Sequence, residues 1–184
     1  MSRILGYRKM IKNAIAFTRW GVKFDPVSFN LPSDRFAGKR VLVTGGTTGI
    51  GYEIAKEFIQ EGATVLITAR REERLKNAKE RLNSANLWDV AQVDASTAKL
   101  KEAVSILGNI DIFVNNAGIY KYDTWDSCSE HTFDEVCDIN AKGLFFICQA
   151  EKTYLMDTER KAKVINICSR NSIDSGFDPY TVSK

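Results

Sequence analysis

From Phe36 onward, short apolar runs alternate with longer stretches whose apolar residues recur at helical spacing. Arg40-Val-Leu-Val-Thr44 is a β-branched run that ends in glycines, which predicts a strand and a turn. Ile50, Ile54, Phe58 and Ile59 then mark one face of a helix. Ala63 to Thr68 predicts the second strand, Glu72 to Leu82 a charged helix, Val90 to Val93 a third strand, and Thr97 to Leu107 a helix. Ile110 to Val114 predicts the fourth strand, Phe133 to Tyr154 one long helix, and Lys163 to Cys168 the fifth strand. Apolar strands separated by helices predict an α/β fold, a parallel sheet covered on both faces.

The first 35 residues have a different pattern. Ile4, Ile11, Ile15 and Val22 repeat at helical spacing, with Met10, Ala14 and Phe17 widening the stripe. Residues 1–24 carry six basic side chains and no acid, a charge of +6, so the remainder of this +3 chain carries −3. A basic amphipathic helical extension is therefore expected over 1–24. Three roles stay open for it: packing on the main domain or a partner subunit, contact with a membrane surface or a protein, or a cleaved targeting peptide. Residues 25–35, with two prolines and several turn formers, read as a linker, and 36–184 as the main domain.

Composition narrows the function classes. With 184 residues, 44% of them hydrophobic, the chain can bury a substantial core. The acidic balance after residue 24 argues against nucleic-acid binding. No apolar run reaches the roughly 18 residues of a membrane span. Cys128, Cys137, Cys148 and Cys168 form no C-x-x-C pair, and the chain has one histidine, so no metal site is expected. The thiols read as small buried hydrophobes in a reducing compartment, and the expected location is cytoplasmic, with a peripheral membrane contact open through 1–24.

Three motifs carry candidate chemistry. Thr44-Gly-Gly-Thr-Thr-Gly-Ile-Gly51 sits at a predicted strand-to-helix turn, where glycines permit close approach of a phosphate and a helix N-terminus offers unpaired N–H groups. It fits T-G-x-x-x-G-x-G rather than G-x-G-x-x-G, because position 47 is threonine. Asn115-Asn-Ala-Gly118 follows the fourth predicted strand. Tyr180 and Lys184 lie four apart, on one face of a helix that Asp178 can cap and Pro179 can begin.

Taken in order and spacing, these residues resemble the short-chain dehydrogenase/reductase family, in its compact, non-extended branch. The resemblance spans residues 36–184 and rests on Thr44, Gly45, Gly49, Ile50, Gly51, the Asn115 to Gly118 motif, Asn140, Ser169, Tyr180 and Lys184. The extended branch places a glycine where this chain has Thr48.

The resemblance implies a Rossmann-like, doubly wound domain and hydride transfer between a nicotinamide and a ketone or secondary alcohol. The reductions it covers range from 3-oxoacyl groups to steroids, sugars and polyols. It implies catalytic roles for four residues. Tyr180 is the acid–base group, and Lys184 favours the phenolate and holds ribose hydroxyls. Ser169 hydrogen-bonds the reacting oxygen, and Asn140 positions a relay water. Cofactor contacts fall to Gly45, Thr47, Thr48, Gly49, Ile50, Gly51, Asn116, Ala117 and Gly118, with Tyr180 and Lys184. Asp94, after the predicted third strand, resembles the family's adenine-contacting aspartate, and a helix cap is the alternative for it.

About 20 residues past the glycines an NAD-binding fold places an acid on the ribose. Here the second strand ends in Thr68-Ala-Arg-Arg71, with no carboxylate. Arg70, with Arg71 as alternate, suits a 2′-phosphate, so NADP(H) is expected over NAD(H). The partner is a small carbonyl or alcohol substrate. A complete family member continues for at least two more strand–helix units, so the chain ending at Lys184 is expected to be an incomplete and inactive form. A homo-oligomer is expected only of a full-length chain. The rival is a non-catalytic nucleotide-binding or scaffold protein that keeps the first part of the fold.

Overall fold

The computed structural model describes residues 34–82, 85–121, 126–172 and 178–184. The helix expected over 1–24 and most of the linker lie outside these residues.

Among the described residues five strands form one parallel sheet: β1 (Arg40–Val43), β2 (Thr64–Ala69), β3 (Ala85–Leu87), β4 (Ile112–Asn115) and β5 (Lys163–Asn166), in the order β3-β2-β1-β4-β5. Between them run α1 (Gly49–Gln60), α2 (Glu72–Leu82), α3 (Ser96–Leu107), α4 (Glu130–Cys137) and α5 (Leu144–Asp157), and the last turn is α6 (Pro179–Ser183). Alternate residues of each central strand face opposite sides. Val41, Val43, Val65, Ile67, Ile112 and Val114 pack with Ala55 of α1 and Ala78 of α2. Leu42, Leu66 and Phe113 pack with Leu100, Ala103 and Leu107 of α3 and with Ile147 and Ala150 of α5. The sheet is thus doubly wound, and strand order reverses between β1 and β4, which opens a crevice at the carboxyl ends of those strands.

Two expectations need correction. The third strand is Ala85–Leu87, and Val93–Ala95 is a 3-10 turn. Val90 is apolar because it is buried in the core from a turn, not because it belongs to the sheet. The long helix is interrupted: between α4 and α5, Asp138–Gly143 forms a π-helical turn. Gly143 lets that wide turn pack on the Val90 segment, since a Cβ there would lie 2.7 Å from the Val90 carbonyl oxygen.

The edge strand β5 is exposed along its length, with Val164 45% and Ile165 41% accessible. Among the described residues no helix is long and apolar enough to cross a membrane, and no cluster of histidine, cysteine or acidic residues could hold a metal.

Candidate functional site

The turn after β1 is shaped by contacts that leave no room for side chains. Gly45 has φ +66°, and a Cβ on it would come 2.9 Å from the Cα of Ala117. At Gly51 a Cβ would meet Asn116 Nδ2 at 2.3 Å and the Gly45 carbonyl oxygen at 2.7 Å. Gly49 needs glycine for its φ of +60° alone, because nothing lies within 4 Å of its Cβ position. Asn116 closes the arrangement: its Nδ2 donates to the carbonyls of Thr44 and Gly45, both at 3.1 Å. The Thr44 hydroxyl accepts from the backbone N–H groups of Asn116 and Ala117, both at 3.1 Å. The glycine loop and the segment after β4 are therefore one hydrogen-bonded unit.

A cleft opens over that unit. Gly45, Thr47, Thr48 and Ile50 line it from the loop, and Asn116, Ala117 and Gly118 from the segment after β4. Arg70, Arg71 and Arg74 line it at the end of β2 and the start of α2, and Tyr180 and Lys184 from the last turn. Thr48 precedes α1 in extended conformation and its hydroxyl does not cap the helix. Uncapped N–H groups, a glycine floor and three guanidinium groups suit a phosphate-bearing ligand.

At the other end of the cleft, α6 is formed as its sequence dictates. Asp178 caps it, accepting from the Thr181 N–H at 2.9 Å, and Pro179 occupies the first turn. The rings of Tyr180 and Tyr120 meet edge to face, with centroids 5.2 Å apart. Lys184 Nζ donates to the Ile167 carbonyl at 3.2 Å. Its pKa is pushed down, because burial disfavours the charged ammonium. Gly118 makes space for it: a Cβ there would lie 3.0 Å from Lys184 Nζ.

Asn140 sits in the π-helical turn, fully buried, with its side chain committed to protein. Its Oδ1 accepts from the Ile119 N–H at 2.8 Å, and its Nδ2 donates to the Ile119 carbonyl at 2.9 Å and to Ser183 Oγ at 3.0 Å. The amide thus holds the segment after β4 against α6. Ser169 lies one residue beyond the cleft-lining Cys168, and its Oγ accepts from the Asn171 N–H at 3.2 Å.

Not every expected residue lines the cleft. Asp94 is exposed on the 3-10 turn and takes no part in the lining, whereas Asp89 does. The cause is the displaced third strand: Asp89, not Asp94, comes just after its carboxyl end. Gly49 and Gly51 shape the loop without lining the cleft. The cysteines were expected to be buried. Cys128, Cys137 and Cys148 are partly so, but Cys168 is exposed and lines the cleft.

Sequence reasoning also missed Arg74, Trp88 and Tyr120 among the lining residues. Arg74 carried a signal, since it stands four residues after Arg70 on a helix start. Tyr120 carried none, because its place depends on the long-range approach of α6.

The chain is similar to known proteins in sequence and in fold. Residues 39–184 match the family described as short chain dehydrogenase. The chain is 33% identical over 156 residues to a gluconate 5-dehydrogenase from Gluconobacter oxydans, covering 80% of this chain and 60% of that protein. It is 34% identical over 161 residues to a 5-keto-D-gluconate 5-reductase from Escherichia coli, covering 80% of this chain and 61% of that protein. The chain therefore spans about three-fifths of the length of these relatives. In fold it is similar to a short chain dehydrogenase from Mycobacterium smegmatis, with a TM-score of 0.79 at 24% identity over 86% of this chain and 71% of that one.

Proposed function

The chain belongs to the short-chain dehydrogenase family, and from that membership we propose that the protein is an NADP(H)-dependent oxidoreductase acting on a ketone or secondary alcohol. One observation carries this: a single cleft is lined at one end by the glycine loop and three arginines, and at the other by Tyr180 and Lys184. When bound there, a nicotinamide dinucleotide supplies or accepts the hydride.

The protein's own groups handle position and proton. Arg70, with Arg71 as alternate, takes a 2′-phosphate, and Asp89 replaces Asp94 as the acid at the adenine end. Tyr180 exchanges a proton with the substrate oxygen, which Ser169 steadies by a hydrogen bond. Lys184 stands one helical turn from Tyr180 and contacts the ribose hydroxyls. Asn140 acts by holding the Ile119 backbone and Ser183 in place, with a relay water as its further role. The relatives' names support a polyhydroxy carbonyl compound as the substrate class. Cys137, Cys148 and Cys168 form no disulfide among the described residues, which suits a reducing, cytoplasmic setting.

Trp88, buried beneath the cleft, gives a direct test. NADPH should quench its emission at lower concentration than NADH, and deuterium from labelled NADPH should appear on the carbinol carbon of a reduced ketone. Failure of both dinucleotides to bind would overturn the assignment.

A further inference from the structure

Arg70 is not free to wait for a phosphate. Its Nη1 lies 3.8 Å from Oε1 of Glu135 on α4. The other carboxylate oxygen, Oε2, accepts a hydrogen bond from Lys121, in the segment after β4. One acid is thus shared by two cations from separate parts of the fold. Lys121 foremost, then Arg70, hold the Glu135 carboxyl below its usual range, so it is ionised at neutral pH. All three side chains are partly accessible, at 37% for Arg70, 36% for Lys121 and 29% for Glu135, so an incoming anion can reach them. Among the described residues, neither Arg71 nor Arg74 has such an acidic partner, although both line the same cleft.

We propose that Glu135 sets the discrimination between 2′-phosphorylated and unphosphorylated adenine nucleotides, by competing with the 2′-phosphate for Arg70. The idea rests on the NADP(H) assignment above and names a residue that tunes it. A 2′-phosphate that takes the Nη1 side of Arg70 replaces the Glu135 carboxylate, and one that takes another N–H of Arg70 is still repelled by it, whereas a nucleotide without that phosphate leaves the pair intact. Lys121 makes the exchange easier, since Glu135 keeps one cation when Arg70 leaves. The two neighbours of Glu135 therefore act in opposite directions: removing the acid favours the phosphorylated nucleotide, and removing Lys121 disfavours it.

Calorimetric titration of the intact protein with 2′,5′-ADP and with ADP isolates the extra phosphate. Glu135→Gln should tighten 2′,5′-ADP about threefold, the scale of a partly exposed ion pair, and leave ADP unchanged. Lys121→Gln should weaken 2′,5′-ADP. Asp134→Asn, which removes an exposed charge next door, should leave the ratio of the two affinities as it was. If Glu135→Gln shifts both nucleotides alike, shifts neither, or is matched by Asp134→Asn, Glu135 has no such role, while a wild-type preference for 2′,5′-ADP still upholds the NADP(H) assignment. If the wild type itself shows no preference for 2′,5′-ADP, that assignment fails and the role of Glu135 falls with it.

Discussion

Asn140 Nδ2 donates to Ser183 Oγ at 3.0 Å, across 43 residues of sequence, and so ties the π-helical turn to the turn that bears Tyr180 and Lys184. The same serine hydroxyl donates to the Tyr180 carbonyl at 3.0 Å. Ser183→Ala removes both bonds without touching the cleft lining. It should cost about 1 kcal/mol in urea denaturation and lower kcat while leaving NADPH affinity unchanged. Asn140→Ala also strips the Ile119 backbone of its partners and should cost about 2–3 kcal/mol.

The three motif glycines should fail differently, because each is needed for a different reason. Gly51→Ala forces a Cβ against Asn116 and the Gly45 carbonyl, and should cost about 1–3 kcal/mol and abolish dinucleotide binding. Gly45→Ala meets both a backbone contact and a left-handed φ, and should be at least as damaging. Gly49→Ala meets only the positive φ, and about 1–2 kcal/mol is expected with binding weakened but retained. Thermal melts with and without NADPH rank the three.

Charge at the end of β2 should set cofactor choice. Arg70→Ala should weaken NADPH about tenfold or more and leave NADH unaffected, on the scale of a charge-assisted hydrogen bond. Arg71→Ala should act in the same direction but less. Asp89→Ala should weaken both dinucleotides alike, since adenine is common to them. Fluorescence titration with the two reduced cofactors separates these patterns.

Glu151 introduces a pH dependence into the core. It is buried on α5, its Oε2 accepts from Asn115 Nδ2 at 3.2 Å, and burial raises its pKa from 4.5 to about 7, against the lowering effect of that bond. Folding therefore makes it bind a proton more tightly than the unfolded chain does. Between about pH 4.5 and 7 the native state holds more protons, so stability falls as pH rises through that window and the loss is complete above it. The span corresponds to at most about 3 kcal/mol. Glu151→Gln should flatten the profile and stabilise the protein at pH 8, as read from denaturation midpoints at pH 5 and pH 8.

Much of this architecture is legible in the sequence where local chemistry decides it. Val41-Leu-Val43 is apolar throughout because β1 is buried on both faces of the sheet. α2 begins and ends at Glu72 and Leu82, where its pattern does. Asp178 and Pro179 announce α6 by capping chemistry alone. The third strand was hidden because Ala85-Asn-Leu87 is a short edge strand with a polar centre and no β-branched residue, while Val90 and Val93 imitate one. Asp89 was missed for the same reason. The π-helical turn at Asn140 is set by packing of Gly143 on the Val90 carbonyl, a contact between segments some 50 residues apart. The pairing of Arg70 with Glu135 is equally non-local, so no spacing rule reveals it.

Tyr180→Phe separates a cleft that reduces ketones from one that only binds a dinucleotide, because it removes one hydroxyl from a residue that lines the cleft and changes nothing else. The intact variant should bind NADPH as the wild type does, and should reduce a ketone substrate at least about 100-fold more slowly, the lower range for loss of a general acid–base group. Turnover within a factor of two of the wild type, with NADPH still bound, would mean that Tyr180 does not carry the proton.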